Sequence, residues 1–458
     1  MSVLIALVKR IVAHVRYKKR FYYKEKNLEI DNTAKMKIDI LKYYKSYEQE
    51  NSTFYKKWLE LNRKYKKIHV YRFRICNVGP LCVYYMYLVE LSRKIPKDEL
   101  LLVMFYQLDE MLLSKNNKFI SNKFIYGRIS EVAEVISENN VSFWAYVLKN
   151  NYEMFDFDWL KIHHQSTDTH EKVYHFDGRM HPDKNYILYT IDEEKIGTEI
   201  LRKLNVREKK YFCIFSRNNE YHEKFFHNAG TAEARITSLR NSDVFQFCKA
   251  VDVLNKYGVS SVRVGAVDSR KMPNQVIDYT NICRSEFGDF FVMGKAKFVI
   301  GDNSGILMIP WLQNIPIGVT NNYTILWMGS NEMNYNTHHI YTIYKKWYDT
   351  KQGRYLNLRE IMEYQKKYGL TDELEIEFFS SMGIVFYDNT EDEIADFALE
   401  MNLRIDGKWI EKEEFIDLRD KFWKIVNDAI KSSSKHLCLL DYQPGSLFLK
   451  RNKWLLNC

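Results

Sequence analysis

DFFVMGKAKFVIGDNSGILMIPWLQNIPIG, residues Asp289 to Gly318, is the stretch from which the fold is read. Its apolar run Ala296 to Ile300 has the length and residue types of a buried strand. The run stops at Gly301-Asp302-Asn303-Ser304-Gly305, a small polar loop. Apolar residues then resume like a helix and lead to a second short strand at Ile315 to Val319. Strand, small turn and helix start together make a pocket for an anion. Backbone N–H groups point outward there, and glycines let a ligand come close.

The same rhythm extends on both sides. Tyr211 to Phe215 reads as a strand that ends in Ser216-Arg217-Asn218-Asn219. A polar insertion follows, then a helix from about Ser242 to Tyr257 with Gly258 at its C-terminal end. Ser261 to Gly265 is the next strand. Upstream, Ile68 to Cys76 reads as a strand, Asn77-Val78-Gly79-Pro80 as a turn, Leu81 to Leu91 as a helix and Leu100 to Tyr106 as another strand. Alternating strands and helices of this kind build doubly wound α/β domains. The expected fold is α/β of the GT-B kind, two Rossmann-like domains with a cleft between them. The expected divisions are a helical, basic segment 1–66, an N-terminal Rossmann-like domain 67–205, a C-terminal Rossmann-like domain 206–405, and a C-terminal helix and tail 406–458, with the helix at Lys412 to Lys431. The same architecture serves some epimerases and phosphorylases, so the chemistry has to come from the site.

Composition narrows the class. A chain of 458 residues with 46% hydrophobic content is globular and long enough for two domains. The net charge of +9 is spread along the chain, and a lysine-rich solvated surface accounts for it without a nucleic-acid partner. The densest basic cluster is Lys9, Arg10, Arg16, Lys18, Lys19, Arg20, Lys24 and Lys26, after the apolar run Val3 to Val8. That run is far short of the roughly 20 residues a bilayer span needs. It suits either an amphipathic helix on an anionic membrane surface or an ordinary packed helix. The seven cysteines include no C-x-x-C pair, which suggests reduced, structural thiols. The expected location is cytoplasmic, with peripheral contact to the inner face of the cytoplasmic membrane through the basic N-terminus.

Candidate chemistry gathers at predicted strand ends. Arg217 follows a strand at the sheet edge where open α/β sheets bind ligands. Its guanidinium can hold a diphosphate through parallel hydrogen bonds. Arg240, Arg263 and Gly265 fall at similar positions and complete an expected phosphate clamp with Asp302, Asn303, Ser304 and Gly305. Ser304 and the following N–H groups would face phosphate oxygens, and Asn303 a sugar or base edge. Asp302 would either cap the helix or take a sugar hydroxyl. Asp109, after the strand Leu100 to Tyr106, is the candidate general base, and Asn77 and Gly79 are the candidate acceptor contacts. The run His163 to His170 and the pair His338-His339 lack metal-ligand spacing and read as loop, so no metal site is expected. No Walker loop, nucleophile elbow or G-x-G-x-x-G occurs.

One family shares a series of these residues. Ser261-Val-Arg-Val-Gly265, Val276-Ile-Asp-Tyr279, Gly288-Asp289, Phe298-Val-Ile-Gly-Asp-Asn-Ser-Gly305 and Pro316 resemble the C-terminal half of a bacterial family classed with the glycosyltransferases. The likeness continues through Tyr344-Lys345-Lys346, Gly353 to Glu360, Gly383-Ile384, Asn389 to Ile394 and Glu400-Met401. It spans about residues 205–410. The family is of GT-B type and related to the fucosyltransferase-like group. In that group an arginine after the first strand of the C-terminal domain and a serine–glycine turn bind the nucleotide diphosphate. The resemblance places these roles on Arg217 and Ser304-Gly305. Where members have a histidine and an acid around that arginine, this chain has Phe215 and Asn218. The resemblance implies a glycosyltransferase that takes a nucleotide-diphosphate sugar as co-substrate, with no further cofactor. It makes 67–205 the acceptor domain and 206–405 the nucleotide-sugar domain. The acceptor would be a glycan or lipid-linked molecule of surface-polysaccharide or glycoconjugate synthesis. A non-catalytic sugar- or nucleotide-binding scaffold and a sugar-nucleotide 2-epimerase are the alternatives.

Overall fold

The computed structural model describes residues 53–74, 78–106, 120–136, 154–156, 184–218, 220, 238–265, 269–325, 340–368, 376–431 and 442–457. The chain forms two compact units, Met1–Phe176 and Asp177–Cys458.

The first unit contains β1 (Lys67–Arg74), β2 (Glu99–Tyr106), β3 (Glu134–Ile136) and β4 (Met154–Asp156), all parallel, in the order β3-β2-β1-β4. This is the 3-2-1-4 order of a Rossmann half. The helix after β1 spans Val78–Ser92 and buries Leu81, Tyr84, Tyr85, Leu88 and Leu91. It starts earlier than its apolar run suggests. Gly79 and Pro80, read above as a turn, lie in its first turn, where proline costs no hydrogen bond. Helix Thr53–Lys64 precedes β1. The basic cluster lies outside the described residues, as do Asn77, Asp109 and both histidine-rich stretches.

The second unit is built on β5 (Tyr211–Phe215), β6 (Ser260–Arg263), β7 (Val276–Asp278), β8 (Val299–Asp302), β9 (Ile317–Asn322), β10 (Ile340–Tyr344) and β14 (Gln443–Pro444). All pair in parallel, in the order β14-β10-β9-β8-β5-β6-β7. Read from the β7 edge and counted within this sheet, the strands run third, second, first, fourth, fifth, sixth, seventh. The order reverses between β5 and β8, which makes their C-terminal ends the topological switch point. The α/β class and the two Rossmann-like units are therefore as the sequence suggests.

A purely parallel sheet needs apolar cover, and its strands read accordingly. Phe212 of β5 stacks on Phe298 at 5.3 Å between centroids, and Val262, Ile300 and Ile317 are buried around them. One group of helices contains Cys248–Asn255 and Glu391–Ile405, whose Phe397 and Met401 lie over Gly318. A second contains Ile191–Lys203, Glu286–Gly294 and Met308–Leu312. Gly197 in the first of these lies on the Phe291 ring, where an added Cβ would sit 2.3 Å away. Helix Ile191–Lys203, placed before the division at 205–206 by the sequence reading, thus packs within the second unit. A small antiparallel sheet, β12 (Arg354–Tyr355), β11 (Lys346–Asp349) and β13 (Ile384–Tyr387), sits among the later elements, and helix Glu413–Lys431 follows.

Candidate functional site

The second unit's switch point is organised around one carboxylate. Gly301 and Asp302, assigned to a loop by the sequence reading, are the last residues of β8. Glycine is required because a Cβ on Gly301 would stand 2.6 Å from the Phe215 carbonyl oxygen of β5. Asp302 is wholly buried and caps no helix. Its Oδ2 accepts from the Arg217 backbone N–H at 3.0 Å and from the Ser242 hydroxyl at 2.6 Å. Its Oδ1 accepts from the Thr320 hydroxyl at 3.3 Å and the Asn321 side-chain amide at 3.2 Å. Burial pushes this carboxyl up to about 6. The Ser242, Arg217 and Asn321 hydrogen bonds and the charge of Lys345 hold it from rising further. It is ionised at neutral pH and faces protein donors rather than a ligand.

Asn321 reaches Asp302 because the backbone is bent. Its φ is 51°, in the left-handed region that non-glycine residues seldom occupy and asparagine tolerates best. The β9–β10 register slips here, Thr342 pairing with Val319 and Tyr344 with Asn322, so β9 bulges. The Asn321 N–H donates to Asn389 Oδ1 at 2.7 Å, and the Asn389 N–H donates to Asn321 Oδ1 at 2.6 Å. Asn389 precedes Thr390, the N-cap of helix Glu391–Ile405.

Arg217 lies directly above this hub and is 8% exposed. Its Nη1 donates to Asn241 Oδ1 at 2.6 Å. The Ser242 N–H donates to the Arg217 carbonyl at 3.2 Å, and the Ser216 hydroxyl donates to the Ser242 carbonyl at 3.3 Å. The Lys345 ammonium, just past β10, donates to the Asn241 carbonyl at 3.1 Å and to Asp388 Oδ1 at 2.5 Å. Two cations therefore hold the Asn241–Ser242 segment over the end of β8. Arg240 stands beside Asn241, half-buried. Asn303, Ser304 and Gly305 follow Asp302 and are partly exposed. Ser304 takes the N-cap position of the turn Gly305–Leu307 without a side-chain capping bond.

Arg263 and Gly265 stand apart from this group, on the β6 side of β5. Arg263 is 2% exposed, and its Nε and Nη2 donate to the two oxygens of Asp278 at 2.9 and 2.6 Å. Its Nη1 donates to the Arg270 carbonyl at 3.0 Å. With its fork committed on β7, it is a structural ion pair rather than a clamp residue. Gly265 has φ 141° and lies beside the Phe215 ring. In the first unit, Gly79 is buried in its helix.

Sequence reasoning missed Asn241, Ser242, Lys345 and the run Thr320-Asn321-Asn322. That run carried a usable signal, being polar residues at the end of an apolar strand, as at Gly301-Asp302. Among the described residues no group of three or more His, Cys, Asp or Glu side chains could hold a metal ion.

No family model matches the chain, and no curated protein matches it significantly in sequence. Solved structures do resemble it. A family 9 glycosyl transferase from Veillonella parvula has 12% identity and a TM-score of 0.39 over 74% of this chain and 98% of its own. The dodecameric iron-containing glycosyltransferase TibC from enterotoxigenic E. coli has 11% identity and a TM-score of 0.30 over 61% of this chain and 63% of its own. The E. coli heptosyltransferase WaaC, solved with ADP-2-deoxy-2-fluoro heptose, has 10% identity and a TM-score of 0.25 over 58% of this chain and 91% of its own. At such identities and TM-scores the similarity is one of general plan and assigns no activity.

Proposed function

We propose that the chain is a glycosyltransferase that binds a nucleotide-diphosphate sugar at the switch point of its second unit. The observation that supports this most is the placement of Arg217 and Asn303-Ser304-Gly305. They follow β5 and β8, the strands between which the order reverses, and α/β sheets of this order take nucleotides at that crevice. Arg217 and Ser304-Gly305 would hold the diphosphate, with Arg240 beside them and Asn303 toward the sugar or base. Asp302 shapes the site from beneath, and Arg263 is left out because Asp278 occupies it. As the sugar leaves, the nucleoside diphosphate gains negative charge, and a fixed guanidinium aimed there stabilises that state more than the ground state.

The acceptor would be a glycan or lipid-linked molecule held by the first unit around Asn77 and Gly79, with Asp109 as general base. Membership of the fucosyltransferase-like group, a role in bacterial surface-polysaccharide or glycoconjugate synthesis and peripheral membrane contact through the basic N-terminus belong to the same proposal. Among the described residues no helix is long and apolar enough to cross a membrane.

Calorimetry with UDP-, GDP-, ADP- and CMP-sugars tests the donor site. One of the UDP-, GDP- and ADP-sugars is expected to bind, with the CMP-sugar, which has a single phosphate, as control. Arg217→Ala is expected to weaken that binding at least tenfold, the scale of a charge-assisted contact. Binding by none, or equal binding by the variant, refutes it. Asp109→Asn is expected to abolish transfer while donor affinity stays as in the wild type. A purified chain that binds donor but neither transfers nor hydrolyses it would be a scaffold. Conversion of the donor's sugar to its 2-epimer without acceptor would make it an epimerase.

A further inference from the structure

Lys345 is an unusual charge for this sheet edge. It is 6% exposed, and a buried ammonium is costly unless its hydrogens and its charge are met. Its charge is met by Asp388, 30% exposed, at 2.5 Å, and one of its hydrogens goes elsewhere. The neighbouring lysine is different. Lys346 pairs at 2.9 Å with Glu393, whose side chain is 2% exposed, and so ties β11 to the start of helix Glu391–Ile405. Lys345, in the link between β10 and β11, also donates to the Asn241 carbonyl. Asn241 is joined at its other end, through Oδ1, to Nη1 of Arg217. A single residue thus connects both cations, one through its peptide oxygen and one through its side chain.

We propose that Lys345 is a positioning residue of the donor site. From the end of β10 it fixes Asn241, and Asn241 fixes the plane of the Arg217 guanidinium. The inference rests on the reading of Arg217 as the diphosphate ligand and adds a residue that acts through it. A guanidinium can meet two phosphate oxygens at once only when its plane is set beforehand. A carbonyl pinned by an ammonium is a firmer anchor than a free loop residue. The charge of Lys345 also reaches Asp302, which accepts from the Arg217 N–H, so it bears on both ends of that arginine.

The test is a double-mutant cycle on the full chain, read by calorimetry with UDP, GDP and ADP. With the diphosphate that binds the wild type, Lys345→Met is expected to weaken binding about tenfold. Lys345→Arg should recover part of the loss, and Asn241→Ala should match Lys345→Met. The decisive variant is Lys345→Met combined with Arg217→Ala. It should bind no more weakly than Arg217→Ala alone, since a residue acting through Arg217 has nothing left to position. A loss in the double variant equal to the product of the two single losses would overturn the inference, making Lys345 an independent diphosphate contact. Wild-type binding by Lys345→Met would overturn it too. Should Lys345→Met fail to fold, Asn241→Ala takes its place in the cycle with the same two outcomes. If no diphosphate binds the wild type, the donor-site reading fails first. If Arg217→Ala weakens binding and Lys345→Met does not, only the positioning role fails.

Discussion

Asp302 keeps an ionised carboxylate where water cannot reach it, and this has a measurable sign. An aspartate in the unfolded chain releases its proton near pH 3.9. Asp302 in the fold releases it near 6. Between about pH 4 and 6 the native state holds a proton that the unfolded chain has lost. The contribution of this residue to stability therefore falls as pH rises through that window, by about 3 kcal/mol in all. Urea unfolding between pH 4 and 7 should show a shallower fall, or a steeper rise, for Asp302→Asn than for the wild type. Equal pH slopes would show that the carboxylate is already ionised at pH 4. Asp289, also buried and pushed up to about 6, keeps its own share in both proteins. Arg263 makes the opposite prediction. Its loss in Arg263→Ala should cost about 3 kcal/mol, as for breaking a buried ion pair, with nucleotide affinity unchanged. A drop in affinity at full stability would return it to the site. These two residues also show what the family-like motifs mark. Arg263 and Asp278 pair with each other, Tyr279 donates to Asp289, Asn389 pairs with Asn321, and Glu393 completes a capping box. Several of the residues that carry the resemblance are thus part of its buried polar scaffold. Of the expected clamp, the strand-end positions of Arg217 and of Asn303 to Gly305 were legible because these residues punctuate apolar runs. Lys345 was not, because its role depends on a loop about a hundred residues earlier in the chain.

Elements were easier to read than their ends. β5 has the bounds its apolar run suggests, and Gly258, at φ 72°, ends the helical stretch before β6 as expected. β8 and β9 each run further than expected, β8 to Asp302 and β9 to Asn322. Composition argues against a strand at Gly301-Asp302 and Thr320-Asn321-Asn322. Close approach of β5 and mutual hydrogen bonds override it. Gly301→Ala is accordingly expected to destabilise the protein by about 1–3 kcal/mol, the cost of forcing two packed strands apart. Chemical denaturation would show this as a lower midpoint at unchanged slope. Ordinary behaviour of the alanine variant would mean that β5 can yield. Helix Glu391–Ile405 starts with the reciprocal Thr390–Glu393 capping box. Thr390→Ala should cost about 1 kcal/mol by the same measurement.

At the scale of the molecule, the second unit carries the whole proposed donor site and its own core. Expressed from Asp177 onward, it should fold and bind the nucleotide that the full chain binds, with the same dependence on Arg217. A fragment that folds but has lost that affinity would show that the first unit supplies part of the donor site. The sheet of this unit also has a temporal consequence. One of its two edge strands, β14, pairs with β10 about a hundred residues earlier in the chain. The segment around it is stitched deep into the unit. Ser446 and Leu447 donate backbone N–H groups to Glu400, Asn452 donates to Glu393, and Phe448 packs on Tyr344, the residue before Lys345. A ribosome makes these residues about a hundred positions after β10. While the chain is being synthesised, the strands flanking Arg217 can pair early, but the end of β10 cannot gain its outer neighbour until that later segment has been made. Competence for the donor should therefore arise only after this later segment has left the ribosome, by which time the first unit has already had time to fold.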